Sequence, residues 1–248
     1  MIDLHTHILP EIDDGPRDFR GSLELARTAA ADGVRTVAAT PHVRADHPGV
    51  RPAELAERCG ELGARLRDAG VPLGVVPGGE VDLDWSDDAS EDELRLVSYG
   101  QRGTDLLLET PYGDLPLDFE ERLFRLVDRG FRILLAHPER SPTLQRRPAR
   151  LVELVERGVL LQLTARTVAA AGGGSPAAEL ARELVDRGMA HVLASDAHAA
   201  QGPAPPDLST GVAAAAEIVG ARAELMATRA PAAVLSGEPI PAPPARSD

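Results

Sequence analysis

The sequence predicts an α/β fold with a parallel sheet, closed into a barrel-like single-domain arrangement. Two observations carry this. A unit made of an amphipathic stretch, a glycine and a short apolar run recurs along the chain. The apolar runs are nearly continuous, as strands buried on both faces of a parallel sheet require.

The elements follow in order. Residues 1–4 form the first candidate strand. Asp32-Gly33-Val34 closes a helix and leads into the strand Thr36-Val37-Ala38-Ala39, and Ala69-Gly70-Val71 leads into Leu73-Gly74-Val75-Val76. A glycine just past a helix supplies the left-handed conformation that ends it. Residues 81–98 break the pattern and are expected to form an acidic loop with one short helix. Residues 105–108 are the fourth strand. Phe119, Leu123, Leu126 and Val127 share one helical stripe, closed by Arg129-Gly130-Phe131 before the strand Ile133-Leu134-Leu135-Ala136. Arg157-Gly158-Val159 precedes the sixth strand, Leu160-Leu161-Gln162-Leu163. Gly172-Gly173-Gly174-Ser175 lacks the lysine of a phosphate loop and is expected to be a linker. The stripe Leu180, Ala181, Leu184 and Val185 ends at Arg187-Gly188-Met189, ahead of the seventh strand, His191-Val192-Leu193-Ala194. Arginine in the last helical turn, as in three of these units, suits the negative end of the helix dipole. Residues 201–208 form a proline-rich loop. The domain is expected to span residues 1–238, with a disordered Pro/Ala-rich tail at 239–248.

Composition narrows the function. The 248 residues are 43% hydrophobic but only 3% aromatic, so the core is built from Leu, Val and Ala. A net charge of −13 argues against nonspecific nucleic-acid binding. It does not exclude a phosphate substrate, because bound divalent cations reverse the local field. Cys59 stands alone, which rules out an internal disulfide and a thiolate metal site; it reads as a structural thiol on a helix. There is no lysine or asparagine, and all 26 basic residues are arginine. Met1-Ile2-Asp3-Leu4-His5 does not resemble a signal peptide, and no apolar run has membrane-spanning length. A cytoplasmic protein without membrane insertion is the expectation.

Five of the seven histidines sit just beyond a candidate strand: His5, His7, His42, His137 and His198. Glu80 and Glu109 end the third and fourth strands, and Asp196 lies beside His198. Active sites of parallel barrels lie at this end of the strands. Residues two apart in extended chain point the same way, so His5 with His7, and Asp196 with His198, can each grip one ion. His47, in a loop, and His191, at the start of an apolar run, lack the pattern. Nitrogen and oxygen donors without sulfur suit Mn²⁺, Fe²⁺ or Zn²⁺, and shared carboxylates imply more than one ion. Such a centre activates water and holds phosphoryl oxygens without a protein nucleophile. Ser195 precedes Asp196 but no Gly-x-Ser-x-Gly elbow surrounds it.

Six segments together carry a family resemblance: Met1-Ile2-Asp3-Leu4-His5-Thr6-His7-Ile8-Leu9-Pro10, Asp13-Asp14-Gly15-Pro16, Thr40-Pro41-His42, Gly78-Gly79-Glu80, Ala136-His137-Pro138-Glu139-Arg140 and Ala194-Ser195-Asp196-Ala197-His198. The chain resembles the polymerase and histidinol phosphatase (PHP) family. It looks most like the bacterial manganese-dependent protein-tyrosine phosphatase branch, linked to capsular and exopolysaccharide synthesis. The resemblance implies a distorted seven-stranded β/α barrel with three metals; two or three divalent ions are expected, manganese foremost, with iron or zinc as alternatives. It places His5, His7, Glu80 and Asp196 on a first ion, Glu80, Glu109 and His137 on a second, and Asp14, His42 and His198 on a third. It makes Arg140 a phosphate-contacting residue. Asp196 and His198 are further catalytic candidates, and Arg44 is a further candidate for substrate binding. The implied substrate is a phosphotyrosine protein, the tail of a tyrosine kinase that controls polysaccharide export. One departure stands out: where that branch often carries Gly-Arg after the Ser-Asp-x-His motif, this chain reads Gln201-Gly202-Pro203.

Two other functions compete. One is a small-molecule phosphoesterase of the histidinol-phosphate or nucleotide type. The other is a noncatalytic scaffold that binds metal for stability alone. Amidohydrolases with a carbamylated lysine bridge are excluded, since the chain has no lysine.

Overall fold

The computed structural model describes residues 1–170 and 174–241. Gly172 and Gly173 of the expected linker, and residues 242–248 of the expected tail, lie outside the described residues. In chain order the first half contains β1 (Ile2–Thr6), α1 (Phe19–Ala31), β2 (Thr36–Ala39), β3 (His42–Val43), α2 (Leu55–Asp68), β4 (Gly74–Pro77), β5 (Glu80–Val81), α3 (Leu83–Asp88), α4 (Glu91–Val97) and β6 (Asp105–Glu109). The second half contains α5 (Phe119–Asp128), β7 (Arg132–Ala136), α6 (Pro142–Arg146), α7 (Ala149–Glu156), β8 (Leu160–Thr164), α8 (Ala165–Ala169), α9 (Pro176–Asp186), β9 (Val192–Ala194), α10 (Leu208–Val219), α11 (Arg222–Leu225) and α12 (Arg229–Ser236).

This is a mixed α/β fold, and every strand pairing in it is parallel. One sheet runs β1-β2-β4 and the other β3-β5-β6-β7-β8-β9. The sequence reads seven strands where the structure has nine segments, because two of the seven are interrupted. Thr40-Pro41 separates β2 from β3, and Gly78-Gly79 separates β4 from β5. Pro41 has no N–H to give to a ladder, but its carbonyl accepts from Glu80 N at 3.0 Å and carries the pairing across the gap. Gly79 has a packing reason: a Cβ there would lie 2.6 Å from Val43 Cγ2. The last strand returns to the first through a parallel bridge between Thr6 and Ala197, with Asp196 N donating to His5 O at 2.9 Å. Toward their N-terminal ends β1 and β9 bond instead to the chain after α11: Ile2 N donates to Ala227 O and Leu193 N to Met226 O.

The five glycines read as helix closers, Gly33, Gly70, Gly130, Gly158 and Gly188, all have φ between 67° and 97°. Phe119, Leu123 and Leu126 of α5 are buried, as are Leu180, Ala181, Leu184 and Val185 of α9. The acidic stretch 81–98 differs from expectation in holding two helices. Asp82 caps α3 by accepting from Trp85 N, and Ser90 with Glu93 forms a reciprocal capping box at α4.

The core has two apolar parts. The larger lies between strands and helices and includes Leu25, Leu62, Phe119 and Leu135. The smaller gathers Leu4, Ala38, Leu107, Leu134 and Val192 from the strands and is closed by Tyr99 and by Ala230 and Val234 of α12. Alternation along a strand links this second cluster to the site. Leu107 is followed two residues later by Glu109, and Leu134 by Ala136, just before His137. Apolar residues thus fill the N-terminal end of this face, and polar ones crowd its C-terminal end.

Candidate metal centre

Nine His, Asp and Glu side chains converge where the strands end. Their ligand atoms form four overlapping groups, each within 4.8 Å: His7, Asp14, His42 and His198; His5, His7 and Asp196; His5, Glu80 and His137; His42, Glu80 and Glu109. The groups contain all nine residues chosen from the sequence. Glu80 is fully buried and lies at the centre, with Oε2 3.2 Å from His5 Nε2 and 3.0 Å from His42 Nδ1, and Oε1 2.8 Å from His137 Nε2. Asp196 Oδ1 lies 3.3 Å from His5 Nε2 and 3.4 Å from His7 Nε2. Asp14 Oδ1 lies 3.3 Å from His198 Nε2 and 3.6 Å from His42 Nε2.

The backbone is bent to aim these groups. His137 has φ 34° and Asp196 φ 54°, the left-handed region that costs a non-glycine residue about 1–3 kcal/mol. The β1–β2 register also shifts between Asp3 and Thr6, around His5. Asp3 is buried beneath the site; its carboxylate accepts from Ser195 N and Ser195 Oγ and pins the last loop to β1. Burial pushes its carboxyl up to about 6. Ser195 Oγ is thereby engaged away from the cluster.

Three imidazoles have an acceptor behind the ring. Gln162 Oε1 lies 2.9 Å from His5 Nδ1, Asp13 Oδ2 2.8 Å from His7 Nδ1, and Asp196 O 3.0 Å from His198 Nδ1. Each acceptor places the ring proton on Nδ1 and leaves the Nε2 lone pair facing inward. His5 Nε2 and His7 Nε2 then face each other at 3.3 Å. Two lone pairs at that distance repel unless a proton or a metal cation lies between them. Glu80 Oε2 and His42 Nδ1, both buried, face each other at 3.0 Å without forming a well-aligned hydrogen bond, which is costly unless something else satisfies them. These residues fit divalent metal ions in donor type and in the direction of their lone pairs.

The electrostatics agree. Burial raises the Glu80 carboxyl, but His5, His137 and His42 outweigh it and hold the group well below the usual range. Burial likewise opposes ionisation of Asp196, and His5 and His7 reverse it. Burial lowers His5, His7 and His42, yet the carboxylates facing them raise all three. Burial, then the Glu80 charge, pushes Glu109 up to about 7. The field that draws protons here is equally available to cations.

Asp13, Gln162 and Arg166 were not singled out from the sequence. Asp13 also accepts from His42 N and Gly15 N, and a Cβ on Gly15 would lie 2.2 Å from His7 O. Gln162 had a signal, a polar residue in an otherwise apolar strand. Arg166 had none. Arg140 donates from Nη1 to Asp196 Oδ2 at 2.7 Å and from Nη2 to Thr164 Oγ1 at 2.7 Å. Arg44 lies 2.7 Å from Asp46 and 3.4 Å from Glu109, with its guanidinium 5.9 Å from the Tyr112 ring centroid. His47 stacks on His42, ring centroids 5.3 Å apart. His191 lies at the opposite end of the strands, where Nδ1 accepts from Leu161 N at 3.0 Å. Cys59 is buried in α2, and burial pushes its thiol up to about 12.

The family model for capsular polysaccharide synthesis, CpsB/CapC, matches residues 1–235. The tyrosine-protein phosphatase YwqE of Bacillus subtilis is 35% identical over 198 residues, covering 80% of this chain and 77% of YwqE. The tyrosine-protein phosphatase CpsB of Streptococcus pneumoniae is 25% identical over 205 residues, covering 80% of this chain and 83% of CpsB. A crystal structure from a study of YwqE from B. subtilis and CpsB from S. pneumoniae, described there as metal-dependent tyrosine phosphatases, aligns with a TM-score of 0.84. It has 31% identity and covers 99% of this chain and 100% of its own.

Proposed function

The chain belongs to the CpsB/CapC capsular polysaccharide synthesis family, and from that premise we propose that it is a metal-dependent protein-tyrosine phosphatase. Its substrate is a phosphotyrosine protein, the tail of a bacterial tyrosine kinase in polysaccharide synthesis and export. The relatives YwqE and CpsB are named tyrosine-protein phosphatases, which supports the reaction class. The observation that carries the reading is the fully buried Glu80 carboxylate, ringed by His5, His42 and His137, with the His5 and His7 lone pairs turned on each other.

His5, His7, Glu80 and Asp196 would hold a first ion, Glu80, Glu109 and His137 a second, and Asp14, His42 and His198 a third. Manganese is the proposed native metal. When bound, such ions supply an activated water and neutralise phosphoryl oxygens. The chain's own residues do the rest. Arg140, about a quarter exposed, presents a planar guanidinium beside Asp196 and binds phosphoryl oxygen. Arg44 stands on the other flank, by Glu109 and Tyr112, where it meets the substrate around the phosphorylated side chain. Asp13 and Gln162 hold His7 and His5 in the required tautomer. No side chain serves as covalent nucleophile: Ser195 Oγ is committed to Asp3, and Cys59 is buried in α2.

The Thr6–Ala197 bridge and the Pro41 and Gly79 junctions support treating the two sheets as one distorted seven-stranded barrel. Residues 1–238 are the proposed phosphatase domain. No helix among the described residues is long and apolar enough to cross a membrane; we place the protein in the cytoplasm with its substrate.

The test is a side-by-side assay after reconstitution with Mn²⁺, Fe²⁺ or Zn²⁺. Phosphotyrosine peptides should be hydrolysed with higher kcat/KM than histidinol phosphate or nucleoside monophosphates. A preference for either small molecule would replace the protein substrate with a metabolite, and no turnover with any of them would leave a metal-binding scaffold.

A further inference from the structure

We infer that Arg166 is a second phosphate-binding guanidinium, which with Arg140 forms a clamp on the phosphoryl group of a phosphomonoester. The inference rests on the phosphatase reading above and names a residue that reading does not need.

Arg166 is the second residue of α8, two positions after the C-terminal end of β8, the end at which the metal-type side chains gather. Its Nη1 donates to Ser195 O at 2.9 Å, and its Nη2 approaches Asp196 Oδ2 at 3.2 Å. Arg140 Nη1 donates to that same Asp196 oxygen at 2.7 Å. Two guanidiniums from the segments that follow β7 and β8 therefore meet at one carboxylate oxygen. The other oxygen of Asp196 faces His5 and His7.

The two guanidiniums share the single oxygen Oδ2 of Asp196, so neither has it to itself. Like-charged guanidiniums held this close are stabilised by a dianion, and a phosphomonoester supplies two negative charges and three terminal oxygens. Both arginines remain open to a ligand: the Arg166 side chain is 33% exposed and that of Arg140 27%. A guanidinium carries five N–H donors, more than the bonds to Ser195 and Asp196 consume. The loop that follows His198 brings no cation of its own, since residues 199–207 contain no lysine or arginine.

The alternative is that Arg166 only positions the Asp196 loop through Ser195 O. Inorganic phosphate separates the two. In Mn²⁺-loaded protein, the phosphate Kd by calorimetry and the KM for a phosphotyrosine peptide should both rise about ten- to a hundredfold in Arg166→Gln, the cost of losing one charge-assisted donor. Metal content should stay at the wild-type value. Arg166→Met, which keeps the apolar stem, should behave alike, and Arg166→Lys should recover little. If both variants bind phosphate as tightly as the wild type, or if both lose metal, the clamp is wrong and Arg166 is a positioning residue. If the wild type itself neither binds phosphate nor hydrolyses the peptide, the phosphatase reading fails, and the clamp with it.

Discussion

Replacing Asp13 with Asn changes one charge and almost no volume, so it isolates what the carboxylate does for His7. In the structure Asp13 Oδ2 faces two donors, His7 Nδ1 at 2.8 Å and His42 N at 3.1 Å, while Oδ1 accepts from Gly15 N at 3.0 Å. All three partners donate, and a carboxylate can accept them all. An amide cannot, since one of its two positions is an NH₂. With the NH₂ toward His7, the imidazole moves its proton to Nε2, the atom that faces His5, Glu80 and Asp196. With the NH₂ toward Gly15, two donors collide and the loop carrying Asp14 shifts. Either outcome removes a lone pair from the centre. Loss of such a supporting partner typically costs about 10- to 100-fold in metal affinity, or about 1.4–2.7 kcal/mol. The assay is competition for Mn²⁺ between the protein and a chelator of known affinity, with kcat/KM measured at saturating metal. Wild-type affinity and activity in Asp13→Asn would refute the idea that Asp13 sets the His7 tautomer.

Two further outcomes are expected. Cys59→Ala should leave kcat/KM unchanged within about twofold, because the thiol is buried in α2 and the proposed nucleophile is water; loss of turnover in a folded, metal-loaded variant would point to a covalent mechanism. Stability should fall with acidity through His191, whose imidazole burial pulls down to about 4 from 6.5. A folded-state value below the unfolded one means the unfolded chain binds the extra proton, so stability is lost as pH drops from about 6.5 toward 4. By pH 4.5 the loss amounts to about 2–3 kcal/mol. Urea unfolding of wild type and His191→Gln at pH 7.5 and 4.5 reads it, and an equal loss in both proteins would remove His191 from the account.

Much of the site was legible because a parallel α/β fold sends chemistry to one end of its strands. Once the apolar runs were placed, His5, His42, Glu80, Glu109, His137 and Asp196 followed from position alone. Helix ends were legible because a left-handed closing residue favours glycine. What escaped depended on contacts between distant segments. Asp13 matters through His7 and Gln162 through His5, and Arg166 meets Arg140 only because β7, β8 and β9 lie side by side. The split of β2 from β3 at Pro41 was hidden because the neighbouring Glu80 continues the pairing. The capping box of α4 was readable as Ser90-x-x-Glu93, but the charge of the surrounding stretch suggested a loop.

The buried cluster around Glu80 is proposed to work only with metal ions in it. The most direct measurement titrates chelator-stripped protein with Mn²⁺, following bound metal per chain by elemental analysis and phosphotyrosine-peptide hydrolysis in the same samples. The expected result is no activity in the stripped protein, with turnover appearing as two or three ions bind and lost again on chelation. Hydrolysis by the metal-free protein, or full metal occupancy with no hydrolysis, would contradict it.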